Sequence, residues 1–95
     1  MEKCLRTGFV WAGGYANKTR KIGYAIAKSE NVSPEIVMAE VARLNQYIFE
    51  ILRKNNVQKS DVIRVEVPYS KDKGFSFDLE KIRVEVFRKV GGVGL

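Results

Sequence analysis

The stretch Ser33-Pro34-Glu35-Ile36-Val37-Met38-Ala39-Glu40-Val41-Ala42-Arg43-Leu44 opens the longest regular pattern in this chain of 95 residues. Ser33 is a helix-capping residue, Pro34 suits the first helical position, and Glu35 favours the positive end of the helix dipole. The spacing predicts a helix running to Asn55 or Asn56. Within it Val37, Val41, Leu44, Ile48 and Ile51 recur at four- and three-residue steps, a heptad seam that can pack on the domain's own sheet or on a second copy of the chain. Tyr47, Phe49 and Leu52 widen the apolar stripe, so a homo-oligomer joined through Val37, Val41, Leu44 and Ile48 stays in view.

After Lys59-Ser60 the period changes from helical to alternating. Ile63, Val65 and Val67 alternate with Arg64 and Glu66, and Ile82, Val84 and Val86 alternate with Arg83 and Glu85. A period of two predicts half-buried strands whose outward Arg and Glu pair across a sheet. Pro68 is expected to end the first of them. Tyr69 to Gly74 then form a turn carrying Lys71 and Lys73, and Phe75, Phe77 and Leu79 alternate as a short strand.

Upstream, β-formers between Cys4 and Ala12 predict a strand with Leu5, Thr7, Phe9 and Trp11 on one face and Arg6, Gly8 and Val10 on the other. Gly13-Gly14 turns the chain into a helix from Tyr15 to Ser29. That helix packs Tyr15, Thr19, Ile22 and Ile26 and turns Arg20, Lys21, Tyr24 and Lys28 outward. The expected fold is α+β: a single domain in β-α-α-β-β-β order, with an antiparallel sheet and two helices packed on one face. Residues 1–90 make up that domain, and 91–95 are expected to be a flexible C-terminal tail.

Lys and Arg number 17 against 11 Asp and Glu, a net charge of +6. Lys3, Arg6, Lys18, Arg20, Lys21 and Lys28 face only Glu2 in the first 28 residues, so five of the six net charges lie there. A field so concentrated steers polyanions, either nucleic acid or an anionic membrane surface. The same segment interleaves rings with the cations, as Arg6, Phe9, Trp11, Tyr15, Lys18, Arg20, Lys21 and Tyr24. Single-stranded nucleic acid offers two handles for that combination, phosphates for the cations and base faces for the rings. These eight are the candidate nucleic-acid-binding residues. A strand face lying under the helices would make Phe9 and Trp11 core residues instead, and both roles stand at this point.

No apolar run approaches the roughly 20 residues that span a bilayer, and the N-terminus has no signal-peptide core. A cytoplasmic protein without membrane attachment is expected. The single cysteine, Cys4, forms no internal disulfide, and the absence of histidine removes His-based metal and nucleophile chemistry. Gly13-Gly14 and Gly91-Gly92-Val93-Gly94 lack the ending of a phosphate loop. The spacing of Asp72, Asp78 and Glu80 fits neither a metal loop nor an acid pair. No catalytic residue, metal or cofactor is expected.

The run Leu5-Arg6-Thr7-Gly8-Phe9-Val10-Trp11-Ala12-Gly13-Gly14-Tyr15-Ala16-Asn17-Lys18, continuing into Arg20-Lys21, resembles the N-terminal domain of the archaeal ThermoDBP family of single-stranded DNA-binding proteins and their relatives. The resemblance extends through the helical middle and the Val-rich strands. It implies a thermophilic archaeal DNA-binding domain without an OB-fold, in which an aromatic-lined cleft takes bases and basic residues hold phosphates. Phe9, Trp11 and Tyr15 would then belong to the cleft, with Arg6, Lys18, Arg20 and Lys21 along its rim. The family's founding members carry a C-terminal helical dimerisation segment, so this chain is similar to the shorter relatives. Assembly is expected through the second helix or a sheet edge.

The expected function is sequence-independent binding of single-stranded DNA. Two alternatives remain at this point: RNA or duplex binding of a chromatin type, which would not need aromatic stacking, and an oligomeric adaptor that binds no nucleic acid.

Overall fold

Each regular segment of the sequence becomes one element in the computed structural model, which describes residues 3–88. The order is β1 (Lys3–Trp11), α1 (Tyr15–Glu30), α2 (Pro34–Lys54), β2 (Val62–Ser70), β3 (Ser76–Phe77) and β4 (Arg83–Phe87), with short 3-10 turns at Ala12–Gly14 and Leu79–Lys81. All strand pairings are antiparallel. β2 is central: β1 flanks it on one side, and β4 and β3 follow one another along the other. Both helices cover one face, giving the expected α+β architecture. The tail expected at 91–95 lies outside the described residues.

The helices end in the same way. Asn31 and Asn56 both adopt left-handed backbone angles, with φ of 55° and 53°. The amide of the following valine then reaches back to the last turn, Val32 to the Ala27 carbonyl at 2.9 Å and Val57 to the Leu52 carbonyl at 3.0 Å. Asparagine tolerates this conformation better than other side-chain-bearing residues, and each valine packs against the core. Ser33 occupies the cap position of α2, but its carbonyl rather than its side chain makes the bonds, to the amides of Ile36 and Val37.

The seam of α2 is core. Val37, Val41, Leu44 and Ile48 are buried against Leu5, Ile63, Val65 and Val67 of the sheet. An oligomer contact through these four is therefore corrected: their apolar surface is already spent inside the domain. α1 closes over the same core with Thr19, Gly23, Ile26 and Ala27. A β-carbon on Gly23 would lie 2.7 Å from Val41 Cγ2, so this glycine sets how closely the two helices approach.

Two strand expectations change. Pro68 does not end β2 but continues it, paired with Cys4. Its carbonyl accepts the Asp78 amide at 2.8 Å, and its missing N–H faces the same side, at the junction between β4 and β3 where no ladder partner is needed. β3 is shorter than expected, since Leu79 enters a 3-10 turn. Glu40 and Arg43 of α2 hold it: Glu40 Oε1 accepts the Phe77 amide at 2.9 Å, and Arg43 Nη2 donates to the Phe77 carbonyl at 2.9 Å.

Candidate nucleic-acid interface

The face of the sheet that the helices leave open is built by a β-bulge. Arg6 pairs with Glu66 and Phe9 with Arg64, so Thr7 and Gly8 together oppose the single residue Val65. Gly8 takes φ of +65°, a conformation suited to glycine. The buried Thr7 hydroxyl accepts the Val65 amide at 3.0 Å and donates to the Gly8 carbonyl at 2.7 Å, which fills the break in the ladder. The extra residue reverses the alternation. Leu5 and Thr7 point into the core, whereas Phe9 and Trp11 point out of it, 65% and 63% exposed. The expectation that all four share one face is corrected by this insertion.

The open face reads as three rows across β1, β2 and β4. Trp11, Val62 and Phe87 form the first, Phe9, Arg64 and Glu85 the second, and Arg6, Glu66 and Arg83 the third. Phe9 and Phe87 meet edge to face at 5.2 Å. Arg64 lies over both rings, 5.1 Å from the centre of Phe9 and 5.9 Å from that of Phe87. Glu85 Oε1 holds Arg64 there by accepting Nη2 at 2.7 Å and Nε at 3.1 Å. Trp11 has no ring or cation partner among the described residues. The face thus grades from apolar at one end to charged at the other.

Its arginines are neutralised. Arg6 reaches Glu66 at 3.5 Å, and Arg64 and Arg83 share Glu85 at 2.7 and 3.7 Å. Lys18, Lys21 and Lys28 of α1, by contrast, have no carboxylate partner among the described residues, and Arg20 bonds only the Asn17 side chain. The eight candidate residues accordingly divide into three places. Arg6, Phe9 and Trp11 stand on the open sheet face. Lys18, Arg20, Lys21 and Tyr24 are exposed on α1, which packs its other side on β1 and α2. Tyr15 is half-buried between the helices, its hydroxyl donating to the Asn45 carbonyl at 3.2 Å, and burial raises its pKa.

Arg64 and Phe87 share this face with Phe9, and neither is among the eight candidates from the sequence. The alternation of β2 already turned Arg64 outward, and Phe87 stands two residues beyond the outward Glu85, so the signal was present. What the period could not tell was that Phe9 would join them. No group of residues able to hold a metal occurs among the described residues, and no helix there is long and apolar enough to cross a membrane.

Residues 5–76 match the family described as ThermoDBP-related, archaea. The chain belongs to the archaeal ThermoDBP-related family. Two solved structures are similar along most of its length. pfuThermo-DBP-RP1 is 38% identical with a TM-score of 0.83, covering 90% of this chain and 58% of its own. apeThermo-DBP-RP2, determined bound to ssDNA dT10, is 36% identical with a TM-score of 0.82, covering 96% of this chain and 44% of its own. This chain therefore spans about half the length of those two ThermoDBP-related proteins. No curated protein matches it.

Proposed function

We propose that this protein is a non-enzymatic, sequence-independent single-stranded DNA-binding protein of the cell interior, with bases lying on the open sheet face and phosphates attracted by the exposed cations of α1. The observation that carries this reading is the bulge-exposed pair Phe9 and Trp11 beside Phe87 and Arg64, a surface of flat groups that suits any base. The ssDNA-bound relative supports the class of ligand. Trp11 is the natural stacking platform, because Arg64 already covers Phe9 and itself presents a planar face. Lys18, Arg20 and Lys21 supply attraction for phosphate, Tyr24 adds an exposed ring beside them, and Tyr15 acts through packing. Self-assembly is part of the proposal, moved from the buried α2 seam to the outer edge of β4.

The test is a fluorescence-anisotropy titration with labelled single-stranded DNA, competed by duplex DNA and single-stranded RNA, with Trp11 emission followed in parallel. Preferential single-strand binding with Trp11 quenching is the expected result. Duplex competing equally with Trp11 unchanged would overturn the stacking reading in favour of a chromatin-type one. Binding to none of the three would leave an adaptor.

A further inference from the structure

At the end of β1 the chain turns from the sheet face into a second, separate hollow. It measures about 370 Å³ and is lined by Tyr15, Phe49, Leu52 and Val57, with Arg53 and Lys59 at its rim. Phe49 is 51% exposed although it sits beside the buried Leu52. No carboxylate lines the slot. Arg53 is paired with Glu50 at 2.7 Å, but the Lys59 ammonium has no carboxylate partner among the described residues. Aromatic and aliphatic walls under an unpaired cation suit a flat apolar group joined to an anion, which describes a nucleotide.

The slot also adjoins the proposed binding face along the chain. Ala12 and Gly13, which line it, directly follow Trp11, and the Ala12 and Gly13 amides bond the Asp61 and Lys59 carbonyls at 2.8 and 3.1 Å. These bonds fix Lys59 against the end of β1. A single strand running past Trp11 along Ala12 and Gly13 reaches a slot whose own lining holds no carboxylate. We propose that this slot takes one further base of the bound single strand, with Phe49 as its stacking wall and Lys59 on the adjoining phosphate. The inference rests on the single-strand reading of the sheet face and extends its footprint around the end of β1.

Two variants and a cross-link test it. Phe49→Ala weakens binding of an oligothymidylate by about five- to 150-fold, the range for loss of one base–aromatic stack. Lys59→Gln makes the salt dependence of log affinity shallower by about 0.7, the value for one phosphate on a single strand. A strand carrying photoreactive iodouracil cross-links to Tyr15 or Phe49 in the wild-type protein. Because Phe49 is half exposed, an unchanged unfolding midpoint is expected for its truncation, and Lys59→Gln gives an answer even if it is not. Wild-type Trp11 quenching with neither variant altered and no cross-link at the slot overturns this inference and leaves the sheet-face reading intact. A changed sedimenting mass in Phe49→Ala at unchanged DNA affinity also overturns it, assigning the slot to a second copy. Absence of any Trp11 quenching removes both readings together.

Discussion

Arg64 lies over Phe9, 5.1 Å from the ring centre, while Glu85 holds its guanidinium by two hydrogen bonds to one oxygen. The three residues form a single unit reaching across β1, β2 and β4, in which an exposed ring rests against an anchored guanidinium. A preorganised stacking surface loses less side-chain entropy on binding.

Trp11 completes that surface as its free ring. Trp11→Ala is expected to cost about 1–3 kcal/mol of single-strand affinity with little loss of stability, because the ring is largely exposed. If about four to six phosphates are engaged, log affinity falls with log salt at a slope of roughly −3 to −4. Salt titration of both proteins checks this: the mutant keeps the slope and loses the intercept.

Glu66 and Glu85 neutralise the arginines of the face and so oppose the dense phosphates of a duplex laid against it. The double variant Glu66→Gln, Glu85→Gln is expected to raise duplex affinity relative to single-strand affinity by about fivefold, equivalent to ~1 kcal/mol. Competition anisotropy measures the ratio. An unchanged ratio would mean the carboxylates act only as anchors for arginine.

The bulge rests on Thr7. In Thr7→Val the buried Val65 amide loses its acceptor, and stability is expected to fall by about 1–3 kcal/mol. Gly8→Ala meets no steric neighbour but must adopt φ of +65°, costing about 1–2 kcal/mol. Urea denaturation reads both, and Trp11 emission shows whether the ring stays in water.

Gly23→Ala should destabilise despite the better helix propensity of alanine. The propensity gain is at most about 1 kcal/mol, whereas a β-carbon 2.7 Å from Val41 Cγ2 forces overpacking of about 1–3 kcal/mol. A raised melting temperature would show that α1 can move away from α2 at no cost.

Stability should fall at both extremes of pH. Glu30, only 8% exposed in its side chain, accepts Lys3 at 2.8 Å, the Tyr69 hydroxyl at 3.1 Å and Lys71 at 3.4 Å. The Lys3 hydrogen bond is the main cause that lowers its pKa, and the Arg43 hydrogen bond does the same for Glu40. Carboxylates depressed in the folded state contribute stability above their unfolded value, and lose it as pH falls below about 4 through the folded one. Tyr69 moves the other way: burial first, then its bond to Glu30, push it up to about 12. Its contribution is complete below about pH 10 and is lost as pH rises toward the folded value. Denaturation across pH in wild type and Glu30→Gln checks this, since the variant should flatten the acid limb.

Local chemistry made much of the fold legible. The α2 seam, the alternation of β2 and β4 and the element order depend on periodicities that burial enforces residue by residue. That outward Arg and Glu pair across the sheet followed from the same alternation, and the register makes Arg64 and Glu85 such a pair. The roles of single residues within a pattern were less legible. The seam of α2 has the same spacing whether it meets a sheet or a second helix, and only the position of Leu5, Ile63, Val65 and Val67 beneath it shows which. Pro68 looked like a strand end, because nothing local reveals that its missing N–H falls between two partner strands.

The sequence by itself determined the α+β class, the order of elements, the basic first third and the presence of rings among the cations. Tertiary structure alone decided which rings face water. One unpaired residue at Thr7-Gly8 moves Phe9 and Trp11 from the core side of β1 to the open side, because side-chain direction in a strand has a period of two and a single insertion inverts it. Whether that insertion occurs depends on Val65, 58 residues away, whose amide the Thr7 hydroxyl accepts.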